Sequence, residues 1–150
     1  MAPVDLRAPD RAPDIVIRGR TVVGGVAEGE ALVTRQTISG WGGINSLTGT
    51  VIENHHELKG VSFAGKVLVF PGAKGSSGWS GAFHTTRLTG TAPLAMLFNV
   101  ITTKAALGAV VMRIPTMTDF DADPLDLIAT GDRVRVDADA GQIHIWKAEK

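Results

Sequence analysis

Apolar positions fall along this chain in short runs that read mostly as strands. Residues 15–23 form a β-branched run containing Arg18 and Arg20 and end at Gly24-Gly25; residues 30–34 resume as a second strand. Residues 66–70 and 94–98 are continuous apolar runs, the pattern of strands buried on both faces. Residues 79–88 read as a helix stopped by Gly90, residues 102–107 as a short helix, and residues 109–112 as a third buried strand. Strand, helix, strand, helix, strand in that rhythm implies an α/β layer with parallel neighbours. Further on, Asp123 caps and Pro124 opens a brief helix that Gly131 closes. Residues 133–137 and 142–146 alternate apolar and polar around Ala138-Asp-Ala-Gly141, which predicts a β-hairpin. Residues 38–49 are loop chemistry around one large apolar anchor, Trp41.

The length, 150 residues, suits one domain with one real core. Residues 1–14 carry three prolines and three aspartates and read as a flexible leader or an arm that orders against a partner, leaving 15–150 as the folded domain. Fifteen basic and fifteen acidic side chains cancel, so no long-range field invites nucleic acid or an anionic membrane. No stretch reaches the roughly 20 apolar residues of a membrane helix, and the leader lacks the apolar core of a secretory signal, so a cytoplasmic location is expected. The absence of cysteine excludes a disulfide scaffold and an iron–sulfur cluster held by this chain. His55 and His56 are adjacent, so their side chains diverge and make a poor start for a zinc site.

The sharpest local feature is the junction of strand, glycine loop and helix over residues 70–79. Gly72, Gly75 and Gly78 let backbone amides approach a ligand, and the helix that follows presents its positive end. Such a junction suits a carboxylate or a phosphate, with Ser76 and Ser77 at its mouth and Lys74 adjacent. The spacing is neither that of a Walker phosphate loop nor that of a nucleophile elbow. Two readings stand on spacing alone: a helix whose free amides a serine caps, or a reactive serine. A serine acting as a base needs backbone amides and a nearby cation to stabilise its ionised form. The loop, the helix end and Lys74 supply part of that, and the remainder must come from a partner.

Residues 65–78, GKVLVFPGAKGSSG, resemble the signature of the aconitase X small subunit, or swivel domain. Three further segments agree in order and spacing: Gly19-Arg20 with residues 27–31, the Trp-Gly-Gly element in residues 38–43, and residues 130–137. The resemblance spans about residues 18–147. It implies a swivelling β/β/α fold, β-rich with a few short helices, docked on a cysteine-bearing large subunit that carries an iron or iron–sulfur centre. It also implies a dehydratase in which a serine of the swivel domain abstracts a proton while the metal activates the leaving hydroxyl. Ser76 matches the catalytic position and Ser77 its supporting neighbour. Aconitases proper follow the serine pair with an arginine that binds substrate; Gly78 stands there instead, so any carboxylate clamp lies elsewhere. Asn45 occupies a position that is often acidic in the family.

Around Ser76, the residues expected to meet substrate are Lys74, Gly75, Ser77, Gly78, His56 and Asn99. His56 is expected on a partly exposed loop near a histidine that recurs in the family. Asn99, Thr102 and Thr103 follow a buried strand, where α/β folds commonly line ligand clefts, although Thr102 equally suits a helix cap. Asp119, Asp121, Asp123 and Asp126 lack the glycine and terminal glutamate of a calcium loop and read as a solvated turn plus a cap. His84 is expected on a helix facing neighbouring side chains, and His144 in the terminal hairpin. The resemblance implies one of two substrates: cis-3-hydroxy-L-proline, preferred for the bacterial look of residues 98–104, or mevalonate 5-phosphate. Two other classes remain: a non-catalytic docking domain, and a phosphohistidine carrier using His84.

Overall fold

A computed structural model describes residues 11–40, 42–75 and 78–148. Eight strands form one mixed sheet in the order β1-β12-β11-β3-β7-β9-β10-β2. In chain order these are β1 (Ile15–Arg18), β2 (Arg20–Val23), β3 (Val26–Val33), β7 (Val67–Phe70), β9 (Ala95–Phe98), β10 (Thr116–Thr118), β11 (Arg133–Asp137) and β12 (Gln142–Trp146). Four neighbours, β3, β7, β9 and β10, run parallel; every other pairing in the sheet is antiparallel. Four two-residue strands, β4 (Ile38–Ser39), β5 (Ile44–Asn45), β6 (Thr50–Val51) and β8 (Ala73–Lys74), pair outside it. The helices are α1 (Trp79–Thr89), α2 (Thr103–Met112) and α3 (Pro124–Leu127).

The run over residues 15–23, expected as one strand, is two. β1 and β2 sit at opposite ends of the sheet order, yet only Gly19 separates them, so one segment serves both edges and the sheet curls back on itself. Gly19 makes that bend possible, because a Cβ there would lie 2.7 Å from the Phe120 ring and 2.9 Å from the Thr118 carbonyl. Alternate residues of the parallel strands then face two cores. Val67, Val69, Leu97 and Met117 point into the curl with Ile17, Val134, Val136, Ile143 and Ile145. Leu68, Phe70, Met96 and Phe98 point the other way, beneath α1, α2 and the excursion between β3 and β7.

Residues 109–112 are not a strand: they complete α2, and the third parallel strand is β10. The Thr102 hydroxyl accepts from the Ala105 amide and starts the helix. Ala105, Gly108, Ala109 and Met112 are buried at helical spacing. Val110 is exposed on the opposite face, and its apolar character made the run look like a buried strand. β3 likewise begins at Val26 rather than residue 30, because Glu28 lies within it with its side chain fully buried. The terminal hairpin and the Asp123 cap of α3 stand as expected.

Candidate functional site

The C-terminal ends of the parallel strands share one edge of the sheet, where α/β folds collect their ligand-binding loops. From β3 this edge receives Thr34 and Arg35, from β7 the glycine loop, from β9 Asn99, and from β10 Asp119. The Val100 amide donates to the Pro71 carbonyl at 2.9 Å and ties the β7 and β9 exits together.

Both arms of the glycine loop are anchored. On the N-terminal arm, β8 pairs parallel with β4, matching Ile38 to Ala73 and Ser39 to Lys74. On the C-terminal arm, α1 starts at Gly78 and its first residue is Trp79, whose side chain is completely buried. The Trp79 indole N–H donates to the Ile38 carbonyl at 2.8 Å, so both arms converge on β4. Its ring stacks on Phe83 at 4.2 Å between centroids, with Phe70 at 6.4 Å. Gly75 has φ +96°, a backbone conformation that disfavours any side chain. Ser76, Ser77 and Trp41 lie outside the described residues.

Lys74 is exposed and forms an ion pair with Glu53 at 2.5 Å. The Ser39 hydroxyl also donates to Glu53, at 3.3 Å. The hydrogen bond from Lys74 is the chief reason that the Glu53 carboxyl is held below the ordinary glutamate range, against a smaller opposing cost of burial. Glu53, Lys74 and His56 line one shallow depression, with Thr37, Asn54 and His55. Next to it, the Glu57 carboxyl is also lowered, first by the Thr34 hydroxyl and then by the Arg35 amide.

His56 is buried, not partly exposed as expected. Its Nδ1 accepts from the Leu58 amide at 3.0 Å and its Nε2 lies 3.2 Å from the Thr37 carbonyl. With Nδ1 accepting, Nε2 is the nitrogen that faces the Thr37 carbonyl as donor. The ring pins the turn over residues 53–58 against the start of β4. Asn99 faces a different depression: its amide donates to the Asp123 carboxylate at 3.1 Å, beside Asp119 and Phe120. Lys74 and His56 are thus brought together, with Gly75 and Gly78 on the loop beside them, while Asn99 stands apart. His84 is exposed on α1, contrary to the expected contact with neighbours, and His144 meets Gln142 in the hairpin at 3.1 Å.

Two side chains escaped the sequence reading. Glu53 sits 21 residues before Lys74 and Lys104 sits 29 residues after Gly75, whose carbonyl accepts a hydrogen bond from the Lys104 ammonium. Neither belongs to a local motif, so no spacing pointed to them.

This chain does not fit an iron or iron–sulfur centre of its own. It has no cysteine, and among the described residues no three metal-ligating side chains converge. No helix among them is long and apolar enough to cross a membrane.

The β-rich curl, the parallel edge and the anchored glycine loop recur in known proteins. The aligned part of a crystal structure of Thermococcus kodakaraensis aconitase X in its holo form superposes with a TM-score of 0.83 at 38% identity, covering 89% of this chain and 99% of that one. The phosphomevalonate dehydratase small subunit of Thermococcus gammatolerans is 39% identical over 129 residues, 86% of this chain and 96% of its own length. That of Archaeoglobus fulgidus is 44% identical over 126 residues, 84% and 95%. The family model described as the aconitase X swivel domain matches residues 16–145, from the second residue of β1 to the penultimate residue of β12. A match that runs through every strand and helix of the fold establishes that the chain belongs to the aconitase X swivel-domain family.

Proposed function

We propose that this chain is the small subunit of an aconitase X-type dehydratase, with Ser76 as the base that removes the substrate proton. The observation that carries the reading is the double anchoring of the glycine loop on β4, through the β8 ladder on one side and Trp79 on the other. A base is effective only when held within a fraction of an ångström of the proton it takes, and rigid arms on both sides of two serines are suited to that. A cysteine-bearing large subunit would carry the iron or iron–sulfur centre, which in this family activates the leaving hydroxyl. The residues of this chain hold the loop, present the serine and bind the substrate, with Gly75 and Ser77 flanking Ser76 and Lys74 and Gly78 next in sequence; His56 supports the turn beside them, and Asn99 faces a separate depression.

For the substrate we favour cis-3-hydroxy-L-proline, dehydrated to pyrroline-2-carboxylate. The Glu53 carboxylate and Lys74 ammonium stand side by side at 2.5 Å, complementary to a zwitterion that carries both a carboxylate and a secondary ammonium. A phosphate monoester bears close to two negative charges and would meet the Glu53 carboxylate as well as the lysine. The second reading, mevalonate 5-phosphate, is favoured by the names of the relatives, phosphomevalonate dehydratase small subunits at 39% and 44% identity.

The test is a dehydratase assay on the complex isolated from its native cells by a tag on this chain, offered each substrate in turn. Turnover that vanishes in Ser76→Ala while the large subunit and its iron still co-purify supports the reading, and the substrate consumed selects between the two. A partner without iron, or a fully active Ser76→Ala complex, overturns it and leaves a docking domain.

A further inference from the structure

Lys104 stands in the first turn of α2, where no acidic residue accompanies it. A cation at a helix N-terminus opposes the helix dipole, so this placement is locally unfavourable and calls for a compensating contact. The structure supplies one: the Lys104 ammonium donates to the carbonyl of Gly75, the residue immediately before Ser76. Lys74, the cation that sequence proximity would nominate to serve the serine, is neutralised by Glu53 at 2.5 Å. Among the described residues Lys104 has no carboxylate partner, so its charge next to the loop is uncompensated. Gly75 in turn holds a left-handed backbone, φ +96°, and its carbonyl direction is the feature that Lys104 fixes.

We propose that Lys104 is a positioning residue for the dehydration: from the α2 side it holds the carbonyl of Gly75, the residue that precedes Ser76 in sequence, and keeps a positive charge at that arm of the glycine loop. This inference rests on the dehydratase reading and on Ser76 as its base. A fixed cation stabilises the ionised form of a neighbouring base, so removing it raises the pH at which the base becomes active. A merely structural lysine would change stability without moving the pH profile.

The test compares complexes carrying Lys104→Met, Lys104→Gln and Lys104→Arg with the wild type and with Ser76→Ala. Lys104→Met is expected to lower kcat about tenfold or more with KM little changed, and to move the rise of kcat/KM to higher pH. Lys104→Arg is expected to restore the profile. Lys66→Met, at the opposite end of β7, serves as the lysine control and is expected to leave turnover unchanged. If Lys104→Met fails to assemble, Lys104→Gln, which can still donate to Gly75 but has no charge, is measured in its place. An unshifted profile and wild-type kcat in the uncharged variants overturn the inference while the dehydratase reading stands. Full activity of Ser76→Ala overturns both.

Discussion

Glu28 and Glu53 each join segments that are distant in the chain, yet they join them for different ends. Glu28 lies on β3 with its side chain fully buried, and its carboxylate receives Arg133 at 2.8 Å and Arg135 at 2.9 Å from β11. The register places Arg133 opposite Glu30 and Arg135 opposite Glu28, so residues 27–31 and 130–137 meet as neighbours across one seam. Glu53 is partly exposed, holds a single lysine and sits at the mouth of a loop. A buried carboxylate left without its arginines is costly, so the seam specifies the register of the curl. An exposed pair contributes little to stability and is free to position a loop or meet a ligand.

That contrast can be broken in several ways. The largest effect is expected for Trp79→Ala, which removes the indole that underlies the loop. It should cost about 3–5 kcal/mol in denaturant unfolding and abolish turnover in whatever complex forms. Loss of stability with turnover intact would show that the loop does not depend on its anchor. Next, Glu28→Ala is expected to cost about 2–3 kcal/mol, less than a fully buried pair because Arg133 is 42% exposed and stays solvated. Its complex should turn over normally below its melting temperature; a specific loss of kcat would place chemistry at the seam.

A smaller effect is expected for Glu53→Gln, which frees Lys74 and should change stability by under about 1 kcal/mol. Turnover should fall several-fold, and a rise on mevalonate 5-phosphate would favour the phosphate substrate. The smallest concerns pH. The Glu53 carboxyl is lowered, so its pairing with Lys74 is fully present above the ordinary glutamate value near 4.5 and is lost only as pH falls through the lowered value. Titration by carboxylate-resolved NMR should show Glu53 ionised at pH 4.5, and a midpoint above that value would break the pair.

Sequence periodicity revealed the strands buried on both faces, the terminal hairpin and the α3 cap, because each rests on neighbours within a few residues. It misread residues 109–112 because Val110 is apolar but exposed, so hydrophobicity no longer reported burial. It missed the start of β3 because a buried glutamate reads as polar until its arginines are found about 105 residues away.

The chain by itself determined the glycine loop, the serine pair, the lack of cysteine and, through the combined segments, the family. Those are properties of residue type and local order. Tertiary structure decided how the two lysines meet the loop, since Lys74 on β8 pairs with Glu53 while Lys104 reaches the Gly75 carbonyl from α2. It decided also that His56 pins a turn with both ring nitrogens and that Asn99 faces a separate depression. The reason is physical: charge pairing and hydrogen bonding act over a few ångströms of space, whatever the separation along the chain.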